Sequence, residues 1–169
     1  MKSPLSLFAV TLLLLAGLSA CSKTGPKSTA ADPHAGHDHA AHKHEHTPPH
    51  GGTAVVLGDE AYHLELVRDA ATGKLSLYVL DGHLENFVRI AAPSIEIFAT
   101  IAGKPTPLVL LPVANAATGE KLGDTSLFET TADWLKTTAD FDANVTKIEI
   151  RGAGFNAVAF NFPKGNEKH

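Results

Sequence analysis

The sequence predicts an all-β fold, a β-sandwich of about eight strands, preceded by a disordered His-rich tether. Three observations predict it. From Gly52 onward, apolar residues recur in short runs with a period near two, the alternation of strands with one buried face. Turn signals separate the runs: Gly58-Asp59, Ala71-Thr72-Gly73, Asp81-Gly82, Gly103-Lys104-Pro105, Thr118-Gly119 and Gly152-Ala153-Gly154. The domain-sized part of the chain, about 120 residues, holds enough such runs for two packed sheets.

In chain order, residues 53–57 (TAVVL) are the first strand. Residues 62–67 (YHLELV) put Tyr62, Leu64 and Leu66 on one face and His63, Glu65 and Val67 on the other. Residues 75–81 (LSLYVLD) and 86–90 (NFVRI) follow. Residues 94–101 alternate Ile95, Ile97, Ala99 and Ile101 against Glu96, Phe98 and Thr100. Residues 108–113 form a compact apolar run, 126–130 read SLFET, 147–151 place Ile148 and Ile150 on one face, and 155–162 hold AVAF between aromatic residues. One or two helical turns are expected over 131–138 (TADWLKTT), with Thr131 as cap, Asp133 in the first turn, and Trp134 and Leu135 packing on the sandwich. An immunoglobulin-like or cupredoxin-like Greek key suits this count, but alternation alone leaves the strand order open. No internal repeat of clear period is present.

The N-terminus, MKSPLSLFAVTLLLLAGLSAC, has the layout of a secretory signal peptide: a short positive start, an apolar run from Leu5 to Leu18, then small residues. The run is shorter than the roughly 20 apolar residues of a membrane span. Leu18-Ser19-Ala20-Cys21 resembles the lipobox of bacterial lipoproteins. That resemblance implies removal of residues 1–20, acylation of Cys21, and anchorage in the cell envelope, with Ser22 favouring the outer membrane and a periplasm-facing domain. Cys21 is the only cysteine, so no disulfide or thiolate metal site is expected.

Residues 22–33 (SKTGPKSTAADP) are small, polar and proline-punctuated, the composition of a flexible linker. Histidines follow at His34, His37, His39, His42, His44, His46 and His50. Neutral imidazole suits Zn(II), Cu(II), Ni(II) and Co(II). With a reference pKa of about 6.5 it is largely neutral near pH 7. The H-x-H pairs can point two rings at one ion, and Asp38 and Glu45 add carboxylates. Exchangeable, multi-ion binding is expected; a solubilising polar segment is the plainer reading. Thr47-Pro48-Pro49 forces an extended or turned backbone. The tether is expected over 21–49, the sandwich over 50–163, and a tail over 164–169.

Within the domain, a hairpin through residues 69–74 sets His63 near Leu80 and His83 near Glu60. His63, Asp81 and His83 then gather at its open end, with His50 able to reach the same end. Two or three imidazoles with Asp81 or Glu60 would make an acceptable Zn(II) or Cu(II) site. Unrelated surface histidines, with Asp81-Gly82 as a turn pair, are the alternative.

The stretch 50–90 resembles small His-rich bacterial periplasmic proteins and lipoproteins, through His50-Gly51-Gly52 and the run Tyr78-Val79-Leu80-Asp81-Gly82-His83. The resemblance implies heavy-metal handling and a metal-efflux adaptor as partner, without identifying an ion. From His50 onward the chain holds roughly 15 acids and 10 bases, and no Lys/Arg run occurs, so nucleic acid is not an expected partner. H-E-x-x-H, G-x-S-x-G and a phosphate loop are all absent, so the expectation is not an enzyme. The sequence therefore points to a lipid-anchored protein that captures divalent transition metal ions. A non-catalytic envelope interaction module with incidental metal affinity is the alternative.

Overall fold

The computed structural model describes residues 47–167. The expected signal segment, Cys21, His34, His37, His39, His42, His44, His46 and His169 lie outside them. The described part is all-β, as the period-two runs predict. Its strands are β1 (Thr53–Leu57), β2 (Tyr62–Asp69), β3 (Lys74–Asp81), β4 (Ile95–Ile101), β5 (Lys104–Pro112), β6 (Leu127–Thr131), β7 (Phe141–Ile150) and β8 (Ala153–Phe162). All ladders are antiparallel, and the strands run β1-β2-β3-β6-β5-β4-β7-β8 in one nearly closed sheet. Two Greek keys overlap in that order: β4-β5-β6 with β3 beside β6, and the same three with β7 beside β4.

The sheet folds over a core because β5 changes partner along its length. Lys104–Leu110 pair with β4, whereas Leu111 and Pro112 pair with β6. Pro105 and Pro107 are tolerated there because residues two apart turn their nitrogens to the same side, and β6 pairs with β5 only at Leu111 and Pro112. Val55, Leu64, Leu66, Leu77, Val79, Ile97, Leu110, Phe128, Val145 and Ile150 are wholly buried in the space between. At about 25 cal/mol per Å² of apolar area removed from water, this burial is the main stabilising term in a domain without cross-links.

Three expected elements take other forms. Residues 86–90 are not a strand: they make two isolated bridges, Leu80 with Phe87 and Ile90 with Thr125, and the asparagine and arginine among them stay at the surface. The helical turn is a short 3-10 segment, Asp133–Lys136. Its cap is Ala132, with no side-chain cap bond, and not Thr131, which closes β6 opposite Lys74. Arg68 steadies its far end by donating to the carbonyls of Leu135 and Thr138. Leu135 is buried, and Trp134 meets Phe141 edge-on at 5.1 Å between ring centres. The third change is at β7, which begins six residues before the expected strand. Phe141, Ala143 and Val145 face inward, between Asp142 and Asn144, which mimic turn residues.

The expected tail begins as part of the fold. Beyond β8 the chain runs along β1, so the gap between the first and last strands is strapped. Thr53 Oγ1 donates to the Pro163 carbonyl at 3.2 Å. The Asn166 amide takes the place of a strand rung: Val56 N donates to Oδ1 at 2.7 Å, and Nδ2 donates to the Val56 carbonyl at 3.1 Å. Gly165 lies so close to β1 that a Cβ there would sit 2.2 Å from the Ala54 carbonyl oxygen.

Asn166→Ala removes both rungs from a part-buried strand edge. The expected loss is about 1–3 kcal/mol of unfolding free energy, read from the midpoint of a urea titration at unchanged slope. A midpoint equal to that of the parent chain would show that the strap carries no load.

Candidate functional site

The candidate site is built where the chain enters the domain. Gly51 N donates to the Pro48 carbonyl at 3.0 Å, which closes a turn with Pro49 in its second place. Gly51 has φ 67, a backbone state open to glycine, and it swings the neighbouring amides to one side. His50 N and Gly52 N then both donate to Glu65 Oε1, at 2.8 and 2.9 Å. Alternate amides converging on one anion form a backbone nest. The ring completes the grip, with His50 Nδ1 2.8 Å from Glu65 Oε2. Gly52 has no room for a side chain, since a Cβ would lie 2.5 Å from the Leu66 carbonyl oxygen. His50-Gly51-Gly52 is thus a fitted part, a clasp for one carboxylate.

Glu65 is the residue that sequence reasoning missed. It sits between core-facing Leu64 and Leu66 and was expected on the polar face of β2. That face is covered here, and Glu65 is 0% exposed. A buried carboxylate is costly unless hydrogen-bonded and paired, and the clasp supplies three contacts. One signal was available: a Gly-Gly pair brings free amides that need an acceptor, and an isolated acid in a leucine run is a natural one. The His50 ring also stacks on Tyr78, at 4.0 Å and 16°, with Phe87 at 5.7 Å. Burial raises the Tyr78 phenol above its ordinary pKa, and the Glu129 and Glu65 carboxylates add to the rise against Lys74.

Geometry assigns the ends of the ring. A carboxylate only accepts, so the Nδ1 facing it carries the proton. In the neutral ring the lone pair is then on Nε2. Histidine ligands in metal sites are commonly held by such a carboxylate partner.

The other expected site residues do different things. The β2–β3 register is as anticipated, with His63 opposite Leu80 and Tyr62 opposite Asp81. His63 is buried and not on a polar surface, with Nδ1 3.3 Å from the Asp81 carbonyl oxygen. His83 is exposed in the following turn. The Asp81 carboxylate is engaged in holding that turn: it accepts from the amides of His83, Glu85 and Asn86 and from Asn86 Nδ2 at 2.7 Å. Partial burial pushes its pKa up, but the Asn86 and backbone hydrogen bonds outweigh this and hold it below the ordinary aspartate value. Asp140 and Asp142 share the Asn161 amide, both at 2.9 Å. Among the described residues, no group of three or more His, Cys, Asp or Glu is placed to hold a metal ion.

Comparison with protein-family models, with curated proteins and with solved structures finds no match to this chain.

Two outcomes follow from the clasp and the turn. Glu65→Gln keeps an oxygen for the two amides and turns its NH₂ toward the ring, so His50 must accept at Nδ1. Long-range ¹H–¹⁵N spectra of the ring should show the proton moving from Nδ1 to Nε2; an unchanged tautomer would contradict the assignment. The 81–86 turn should be fully held above the ordinary aspartate range and loosen as pH falls through the lowered pKa of Asp81. Amide-exchange protection at Asn86, taken relative to the intrinsic rate at each pH, reads this, and protection that does not change through the acid range would refute it.

Proposed function

We propose that this protein captures divalent transition metal ions at the cell envelope, with Zn(II), Cu(II), Ni(II) and Co(II) as the suited ions. One observation carries the reading: the run of six histidines at 34–46 leads, across Pro48-Pro49, into a seventh whose ring is fixed by a buried carboxylate. His34, His37, His39, His42, His44 and His46 would supply exchangeable ligands. His50 would supply one oriented ligand at the domain surface, through Nε2. The donor set fits such ions: imidazole nitrogen with Asp38 and Glu45 oxygen at hand, and no thiolate once Cys21 carries lipid. The protein's own contribution is capture and retention near the membrane, with onward passage to an efflux adaptor. No step of catalysis is involved. His63, His83 and Asp81 would add affinity only by rearranging.

A second reading has one observation in its favour. Phe98, Val109 and Leu111 are exposed on the outer face of β4 and β5, where an envelope partner could dock. Under it the histidines are a spacer.

Calorimetric titration of the full chain with each of the four ions separates the two. Micromolar binding is expected, most of it lost on deletion of residues 34–46. It should weaken below about pH 6 as protons compete for imidazole. His50→Ala should weaken the tightest phase by about tenfold, the order of a lost supporting ligand contact. Absence of micromolar binding for every ion would overturn the capture reading. Fractionation of a Cys21→Ser chain tests the anchor: it should leave the membrane fraction.

A further inference from the structure

A cleft that shares no residue with the His50 clasp opens where two strands part. β4 pairs with β7 only from Ile97 to Ala99, opposite Ala143 to Val145. Continued, that register would set Ile95 against Lys147 and Pro93 against Glu149, but no ladder forms there. Pro93 has no N–H to donate, and the chain departs to bridge Thr125 at Ile90. Residues 89–95, 147–149 and 151–152 are left as the walls of a cavity of about 610 Å³. That size lies within the range of small-molecule sites.

The lining has two characters. Its apolar lining includes Ile90, Ile95 and Ile148, which belong to the buried core. Its rim is ionic. Arg89 is engaged by Asp124 at 3.5 Å and by the Thr118 carbonyl. Lys147 and Arg151 make no ion pair among the described residues. Glu149 is the one acid on the rim. In a chain of net charge −4, two unpaired cations beside an apolar floor run against the general charge. A basic rim alone would suit a small inorganic anion, and an apolar floor alone an uncharged oil.

We infer that this cleft binds an anionic amphiphile, with its apolar chain on Ile90, Ile95 and Ile148 and its carboxylate or phosphate head at Lys147 and Arg151. The inference is independent of metal capture. The head gains charge-assisted hydrogen bonds from an ammonium and a guanidinium, and the chain gains burial against residues already desolvated. The open strand edges beside it let the walls accept a ligand without breaking a rung.

The test is a titration of the ¹⁵N-labelled full chain with dodecanoate, dodecyl phosphate, inorganic phosphate and dodecanol, followed by amide shifts. Saturable shifts at 90–95 and 147–152 are expected with both amphiphilic anions. Inorganic phosphate and dodecanol should leave those amides in place. In a Lys147→Gln/Arg151→Asn chain the affinity for dodecanoate should fall by about tenfold, two solvent-exposed ion contacts being lost. Asn before Gly152 suits the turn, where residue 151 has φ 49, so the fold is retained. Raising the salt concentration should weaken binding to the unaltered chain, a measurement that needs no variant. Shifts confined to other residues, an equal response to phosphate alone, or salt-independent binding of equal strength in both chains would each overturn the proposal.

Discussion

The buried Glu65 carboxylate is the constraint around which the start of the domain is arranged. A charge with 0% exposure must be satisfied from every side. The two amides that reach it require residues 50 to 52 to turn, and they require glycine at position 52 because β2 passes so close. The ring contact then fixes His50, and the stack on Tyr78 fixes the plane of the ring. One acid thus sets where β1 begins and where one imidazole points. A leucine at 65 could fill the same space but would leave two amides and a ring nitrogen without an acceptor.

At the opposite edge of β1 a different device solves a related problem. A five-residue strand beside an open gap presents backbone groups that invite pairing with other chains. Asn166 meets those groups at Val56 with a side chain in place of a strand. The clasp and the strap hold β1 from its two ends in sequence, one from before the strand and one from after the last.

Much of the fold was legible because it rests on local rules. The β2–β3 hairpin follows from Asp69, Thr72 and Gly73, whose turn bonds set the register that places His63 opposite Leu80. The turn that leads into β1 follows from the prolines and glycines before it. What was not legible depends on distance along the chain. The strap joins residues 110 apart in sequence, and nothing local to Gly165 or Asn166 announces it. The burial of Glu65 and His63 was not legible for a similar reason: alternation tells which residues share a face, not whether that face is covered. The first half of β7 was hidden by composition, since Asp142 and Asn144 resemble a turn when their neighbours Phe141, Ala143 and Val145 are not seen to face the core.

The position of the clasp has a mechanical consequence. Tension on the chain N-terminal to Pro48 reaches His50 and Gly52 before it reaches the first rung of β1, Thr53 with Leu66. An edge strand pulled from its end gives way one rung at a time. Here the pull meets first three contacts that share one carboxylate and must yield together. The domain is fastened to whatever precedes it by a rivet, and the sheet behind the rivet is shielded from peeling.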